Sequence, residues 1–269
     1  MQLNAEKIRI RLKQLQLKEH DFSAALTSVQ IEVVAETGST NTDLMRRAQT
    51  LAGPVLLVAL HQTAGRGRAG RTWHSEAGAV LTFSLAWHFS LTAQQLMGLP
   101  LVVGLAVAET LREMGVPVSL KWPNDILKDG KKLGGILLES CPGAEGGSWA
   151  VIGIGLNLSV PDALEARIGQ AVADALWLAQ MDRNHLLAAL THALQVRLAY
   201  FEQVGFAGFV ARWNHLHAFA NQVVTVQDQG RVLQQGVALG VDDSACLLLQ
   251  TETGLARVHA GDVSLRLVG

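Results

Sequence analysis

The reactive potential of this chain gathers in Gly65-Arg66-Gly67-Arg68-Ala69-Gly70-Arg71, where three guanidiniums stand among three glycines. Arginine stays charged and presents a planar fork of donors that suits phosphate and carboxylate oxygens. Glycine opens backbone conformations closed to other residues and lets the main chain approach a ligand closely. Together they describe a loop able to order itself around a polyanion. The Gly-x-x-x-x-Gly-Lys-Ser/Thr spacing of a phosphate-cradling loop is absent. Composition alone fits two other readings, a solvated basic turn and an Arg/Gly segment that binds nucleic acid. The flanking residues must decide.

Ser39-Thr40-Asn41 precedes a run of helix formers. All three are good N-cap residues, and a helix needs only one. The others are free to face a ligand, although capping alone explains the triplet equally well. Gln62 closes an apolar run just ahead of the Arg/Gly loop, and Trp73 follows the loop. Further on stand Lys121-Trp122-Pro123-Asn124-Asp125, then Lys132-Leu133-Gly134-Gly135-Ile136-Leu137, then Gly153-Ile154-Gly155-Leu156-Asn157. Glycines within strands mark close approach of a ligand or of another backbone. On spacing alone, Lys132 reads as a solvated lysine at a strand end and Asp125 as a turn former.

The elements that must position these residues follow from periodicity. Residues 1–30 form a short helical lead, with Ile8, Leu12 and Leu15 at helical spacing. Strands are expected over 31–34, 55–60, 80–87, 118–122, 132–139 and 150–158. In the third of these, Leu81, Phe83, Leu85 and Trp87 share one face. Pro123 holds Trp122 extended. Asp129-Gly130 signals a tight hairpin, and 143–147 a second hairpin loop. Thr92-Ala93-Gln94-Gln95 is a capping-box pattern ahead of an apolar helix that Gly115 stops. Pro100 either kinks that helix or marks its true start. Asp182 caps a helix running to about Val204, and a shorter helix follows over 206–216. The last fifty or so residues break into short strands over 223–226, 231–238, 245–250 and 256–258, separated by turns. The fold class is therefore α+β: a mixed β-sheet domain with helices over 31–216, then a small C-terminal β-barrel over 217–269.

Bulk properties narrow the function. Of the 269 residues 49% are apolar and 17% charged, enough apolar surface for a full core. The net charge of −1 sets the basic loop apart from any general basic field, which disfavours a dedicated nucleic-acid binder. Two distant cysteines, Cys141 and Cys246, give no disulfide framework and fit a reducing, cytoplasmic setting. The nine histidines form no ligand pattern, the alternating His215 and His217 included, and no metal site is expected. The uncharged stretch 77–108 has apolar runs too short to span a membrane and reads as a buried strand and helix.

The ordered set of five motifs, from Ser39-Thr40-Asn41 through Gly153-Ile154-Gly155-Leu156-Asn157, resembles the biotin protein ligases, from about residue 31 to the end of the chain. The resemblance implies two steps: biotin and Mg·ATP give biotinyl-5′-adenylate, and the biotinyl group then passes to one lysine of a biotin carboxyl carrier protein. It implies that Ser39, Thr40, Asn41 and Gln62 surround the ureido ring and that Gly134 and Gly135 line the biotin tail. Arg66, Gly67 and Arg68 would belong to a loop that folds over the adenylate. Trp73 and Asn157 fall at positions associated with adenine, and Lys132 with the biotin carboxyl and bridging phosphate. Arg68, Lys132 and Asp125 would be the catalytic residues, with Asp125 orienting Mg²⁺-ATP or the acceptor amine. Ala69 stands where the family also carries basic residues. Bifunctional family members add an N-terminal DNA-binding domain and repress transcription, and the lead seen here is too short for one, so neither repression nor a nucleic-acid partner is expected. A homodimer is consistent with the family, and no membrane partner is implied. Lipoate or octanoyl ligases and transferases resemble this fold broadly and are the rival reading; the Arg/Gly loop and the terminal barrel argue against them.

Overall fold

The computed structural model describes residues 3–18, 27–168 and 172–268. The expected lead over 1–30 therefore lies partly outside the described residues, at 1–2 and 19–26. In chain order, α1 (Ala5–Lys18) is followed by β1 (Gln30–Thr37), α2 (Thr40–Arg47), β2 (Val55–Gln62) and β3 (Val80–Phe89). Next come α3 (Leu99–Glu113), β4 (Ser119–Lys121), β5 (Asp125–Lys128), β6 (Lys131–Pro142) and β7 (Ser148–Asn157). Helices α4 (Asp162–Ile168), α5 (Leu176–Gln180), α6 (Arg183–Val204) and α7 (Val210–His215) lead to β8 (Val223–Asp228), β9 (Arg231–Val241), β10 (Leu247–Thr251), β11 (Gly254–Val258) and β12 (Val263–Leu267).

Strands β1 to β7 form one mixed sheet in the order β1-β2-β3-β7-β6-β5-β4, with only β1 and β2 parallel. Alternation along the strands divides its faces. Leu56, Val58, Leu81, Phe83, Leu85, Ile152, Ile154 and Leu156 join the large core shared with α1, α3 and α6. Val55, Leu57, Ala86 and Val151 point the other way and pack with Leu44 and Ala48 at α2 and just beyond it. The second sheet is antiparallel, in the order β11-β10-β9-β8-β12. Its end strands do not pair, so the expected barrel is an open five-stranded sheet.

Several local signals read as expected. Asp129 and Gly130 both take positive φ in the tight β5–β6 turn. The Asp182 carboxylate caps α6 by accepting from Asn184 N–H at 3.0 Å. Pro100 marks the start of α3 and does not kink it, because an N-terminal turn needs no N–H from that residue. The capping box at Thr92 belongs instead to a separate 3₁₀ turn over Ala93–Leu96. Trp122–Pro123 is a cis peptide. The apolar stretch Ala93–Glu113, long enough to cross a membrane, is mostly buried within the fold.

Helix α1 packs along α6 and β1. Ile8 is fully buried and Leu12 nearly so, both in the main core. The helix is also pinned by Arg11–Asp182 at 2.8 Å and by Asn4 N–H donating to Asn184 Oδ1 at 2.8 Å. Ile8→Ala should lower unfolding free energy by about 2–4 kcal/mol. Chemical denaturation checks this, and an unchanged midpoint would show α1 to be an ornament on the fold.

Candidate active site

A cavity of about 380 Å³ opens on the α2 face of the large sheet. Strand register explains its floor. Ser84 pairs with Gly153 and Thr82 with Gly155; across β7, Gly153 pairs with Leu137 and Gly155 with Gly135. All these residues share one face, and Asn157 continues it along β7. A methyl on Gly153 would lie 2.3 Å from Asn41 Oδ1, and one on Gly155 2.2 Å from the Trp73 indole. The bare floor is therefore what seats Asn41 and Trp73. A methyl on Gly135 would lie 3.6 Å from the same indole and 3.3 Å from the Lys132 side chain.

At one end a line of polar side chains crosses the floor. Gln62 Oε1 accepts from Thr40 N–H at 2.8 Å, and the Thr40 and Ser84 hydroxyls are 2.7 Å apart. Ser84 donates to Asn41 Oδ1 at 2.6 Å. Thr40, Asn41, Gln62 and Ser84 are all buried. Ser39 caps α2 by accepting from Thr42 N–H at 3.4 Å and also lines the cavity, so capping and lining coexist in the triplet.

The other end is cationic. Seven of the lining residues are Lys or Arg, against one carboxylate, Asp125, among the described residues. Asp125 is 2.6 Å from Lys132 Nζ and 3.2 Å from Lys121 Nζ. Burial would push its carboxyl up, but the two ammoniums outweigh burial and hold it below the usual carboxylate range. Burial lowers the Lys121 ammonium from its ordinary value, with Asp125 opposing the shift. Such a site focuses positive potential in a chain that is almost neutral overall. Among the described residues no cluster of His, Cys, Asp or Glu could hold a metal ion.

The Arg/Gly loop closes one side. It folds on itself through Gly67 N–H to Arg71 O at 2.7 Å and Trp73 N–H to Gly65 O at 2.9 Å. A methyl on Gly65 would strike Trp73 O at 2.3 Å. Ala69 takes φ 52°, a left-handed conformation tolerable for a small residue in a turn. Arg68 donates to Asn124 Oδ1 at 2.8 Å and to the carbonyl of Gly261, and its desolvation lowers its pKa. The second sheet supplies the rest of the wall through Val263–Leu267. Trp122 Nε1–H to Ala245 O at 3.2 Å also ties it to the large sheet.

The structure brings Ser39, Thr40, Asn41, Gln62, Arg66, Gly67, Arg68, Trp73, Asp125, Lys132, Gly135 and Asn157 to this one cavity. Gly134 is the exception. It pairs with Leu156 on the core face, where a Cβ would meet Leu156 Cδ2 at 2.6 Å, so alternation removes it from the lining. Ser84 and Arg266 also line the cavity and were not singled out in the sequence; Lys121, Gly153 and Gly155 stood in its motifs without an assigned role. The alternating glycines of β7 and the period-two position of Ser84 carried a readable signal, as did the Val263-Ser264-Leu265-Arg266-Leu267 alternation, although that strand was not foreseen.

Residues 31–157 match the biotin/lipoate A/B protein ligase family, and residues 219–266 match the biotin protein ligase C-terminal domain. The chain is 34% identical over 243 residues to the bifunctional ligase/repressor BirA of Escherichia coli, an alignment covering 88% of this chain and 74% of that protein. It is 34% identical over 266 residues to the biotin–[acetyl-CoA-carboxylase] ligase of Mycobacterium tuberculosis, covering 96% and 97%. The solved biotin protein ligase of Aquifex aeolicus in complex with biotin and ATP is similar with a TM-score of 0.73 at 29% identity, covering 88% of this chain and 99% of that one.

Two substitutions test this geometry. Gly155→Ala should expel the indole and cost about 1–3 kcal/mol through overpacking. Adding Trp73→Ala should recover most of that loss in thermal melts, because the clash needs both partners. Asp125 contributes stability above the ordinary carboxylate range that is lost as pH falls through its depressed folded value. Asp125→Asn leaves two ammoniums facing each other and should cost about 3 kcal/mol near neutrality. The loss should shrink in alkaline buffer as Lys121 discharges, and urea midpoints at the two conditions read the difference.

Proposed function

Because the chain belongs to the biotin protein ligases, enzymes that activate biotin with ATP and pass it to the carrier subunit of acetyl-CoA carboxylase, we propose that the cavity runs both steps with its polar and cationic ends in distinct roles. The observation that carries the assignment is the meeting, in one cavity, of a neutral hydrogen-bonding line and a cluster of fixed positive charge.

The ureido ring is polar and demands matched donors and acceptors, since a buried unpaired group costs about 1–3 kcal/mol. Gln62, Thr40 and Asn41 are suited to it, with Ser39 and Ser84 beside them. The biotin tail then runs over Gly135 toward Lys132. A carboxylate oxygen of biotin attacks the α-phosphorus of ATP, the α–β bridging P–O bond breaks, and pyrophosphate leaves. Two anions must approach, so fixed cations that strengthen their hold as charge shifts supply the acceleration. This reading gives that work to Lys132 and Arg68, which line the cavity together with Lys121 and Arg266. Trp73 and Asn157 stand on the adenine side in this reading. Asp125 is a weak base because of its two lysine partners, and its work is to orient them. Magnesium travels with the triphosphate, since the single cavity carboxylate is already engaged. In the second step the carrier lysine amine attacks the acyl carbon, the bond to AMP oxygen breaks, and the amine proton is released to solvent. The loop over 65–71 shields the adenylate from water between steps. Among the described residues no strand pairs with the outer edge of β1, which supports a homodimer formed by edge addition.

The purified chain with biotin, ATP, Mg²⁺ and a carrier domain should yield a single biotinylated lysine by mass spectrometry, and lipoate in place of biotin should yield none. Arg68→Ala should cut adenylate formation about a hundredfold and let the intermediate leak, while Lys132→Ala should impair adenylation far more than it lowers the melting temperature, because Asp125 keeps Lys121 as a partner. Unaltered turnover and adenylate retention in Arg68→Ala would sink the role of the loop.

A further inference from the structure

Glu139 lies outside the cavity lining, yet it touches both the cavity floor and the loop that closes it. It follows Leu137 on the same face of β6. Its Oε2 accepts from Asn41 Nδ2 at 3.0 Å, and its Oε1 is 3.0 Å from Arg66 Nη1. An ionised carboxylate only accepts, and together with the Leu137 carbonyl, which accepts from the same amide nitrogen at 3.3 Å, it sets which end of the Asn41 amide points outward. The amide nitrogen must face Glu139, and the amide oxygen must turn inward to accept from Ser84 at 2.6 Å. Gly153 leaves the space that this inward oxygen occupies. Arg66, half-exposed, stands in the loop just after Gly65 and pairs across it with Thr72. An ion pair with so exposed a partner adds little stability by itself. Its consequence is geometric, because one carboxylate joins a floor residue to a residue of the loop.

We propose that Glu139 is a positioning residue that fixes the Asn41 amide and, through Arg66, clasps the Arg/Gly loop over the occupied cavity. This rests on the assignment of the polar line to the biotin ring. A ring held by Asn41 locks that amide toward Glu139 and so keeps the carboxylate aimed at Arg66. Reciprocity requires that a seated Arg66 in turn favour the ring-binding orientation of Asn41. Floor and loop are thus linked by a contact that meets neither substrate.

The test compares wild type, Glu139→Gln, Arg66→Gln and the double variant. Biotin affinity is measured by calorimetry, biotin-dependent protection of the loop by trypsin digestion at Arg68 and Arg71, and folding by thermal melts. Glutamine can donate as well as accept, so Asn41 keeps only the longer bond to the Leu137 carbonyl as an obligatory acceptor, its amide is held less firmly, and the ion pair is lost. Glu139→Gln should bind biotin about tenfold more weakly, in the range of ordinary coupling effects. It should lose most of the biotin-dependent protection while melting near the native temperature. Arg66→Gln should lose the same protection, and the double variant should be no worse than the more affected single variant. Native affinity and protection in Glu139→Gln would overturn the clasp, as would strictly additive losses in the double variant. Should Glu139→Gln fail to fold, full loop protection in Arg66→Gln would overturn it equally. Wild-type protein that bound no biotin would instead overturn the functional assignment, so the two failures are distinct.

Discussion

One carboxylate between two ammoniums is the interaction on which the site depends. Without Asp125, Lys121 and Lys132 would repel each other across a buried wall, and Lys121 in particular is already weakened as a cation by burial. With it, both are paired at the edge of the cavity they line. The arrangement concentrates positive charge in a chain with a formal net charge of −1. A site for polyanions can therefore exist here without a basic surface that would attract unrelated partners.

The second constraint is steric. Trp73 and Asn41 are large side chains laid against a sheet, and sheets ordinarily have side chains in the way. Glycines at alternate positions of β7 remove them, and the register with β3 and β6 brings Thr82, Ser84, Gly135 and Leu137 alongside. The same alternation sends Ile152, Ile154 and Leu156 into the core. A slip of one residue would bury glycines and expose isoleucines, so the packing of the core enforces the geometry of the site.

These points bear on what could be seen in the sequence. Leu81, Phe83, Leu85 and Trp87 alternate strongly enough to reveal a strand and its buried face, and Asp182 announces the start of α6. The motifs identified most of the residues that gather, because their order along the chain carried the resemblance; residue types alone left capping at 39–41 and a solvated Lys132 equally open. Pairing across the sheet was less accessible. Gly134 and Gly135 look equivalent in sequence, and only their partners Leu156 and Gly155 reveal which one faces the cavity. Arg266 and Glu139 stayed hidden for a related reason. One lies on a strand of only five residues, whose Val263-Ser264-Leu265-Arg266-Leu267 alternation does not say which strand it pairs with, and the other acts through contacts with residues 73 and 98 positions away.

The wall contributed by β12 bears on how the protein is made. Residues 263–267 complete the cavity, and the carbonyl of Gly261 receives Arg68. Translation proceeds from the amino end, so a nascent chain still sheathed in the ribosomal tunnel at these positions has an unfinished site even if its large sheet has already formed. A message cut short before this point would yield a product with a gap in the cavity wall.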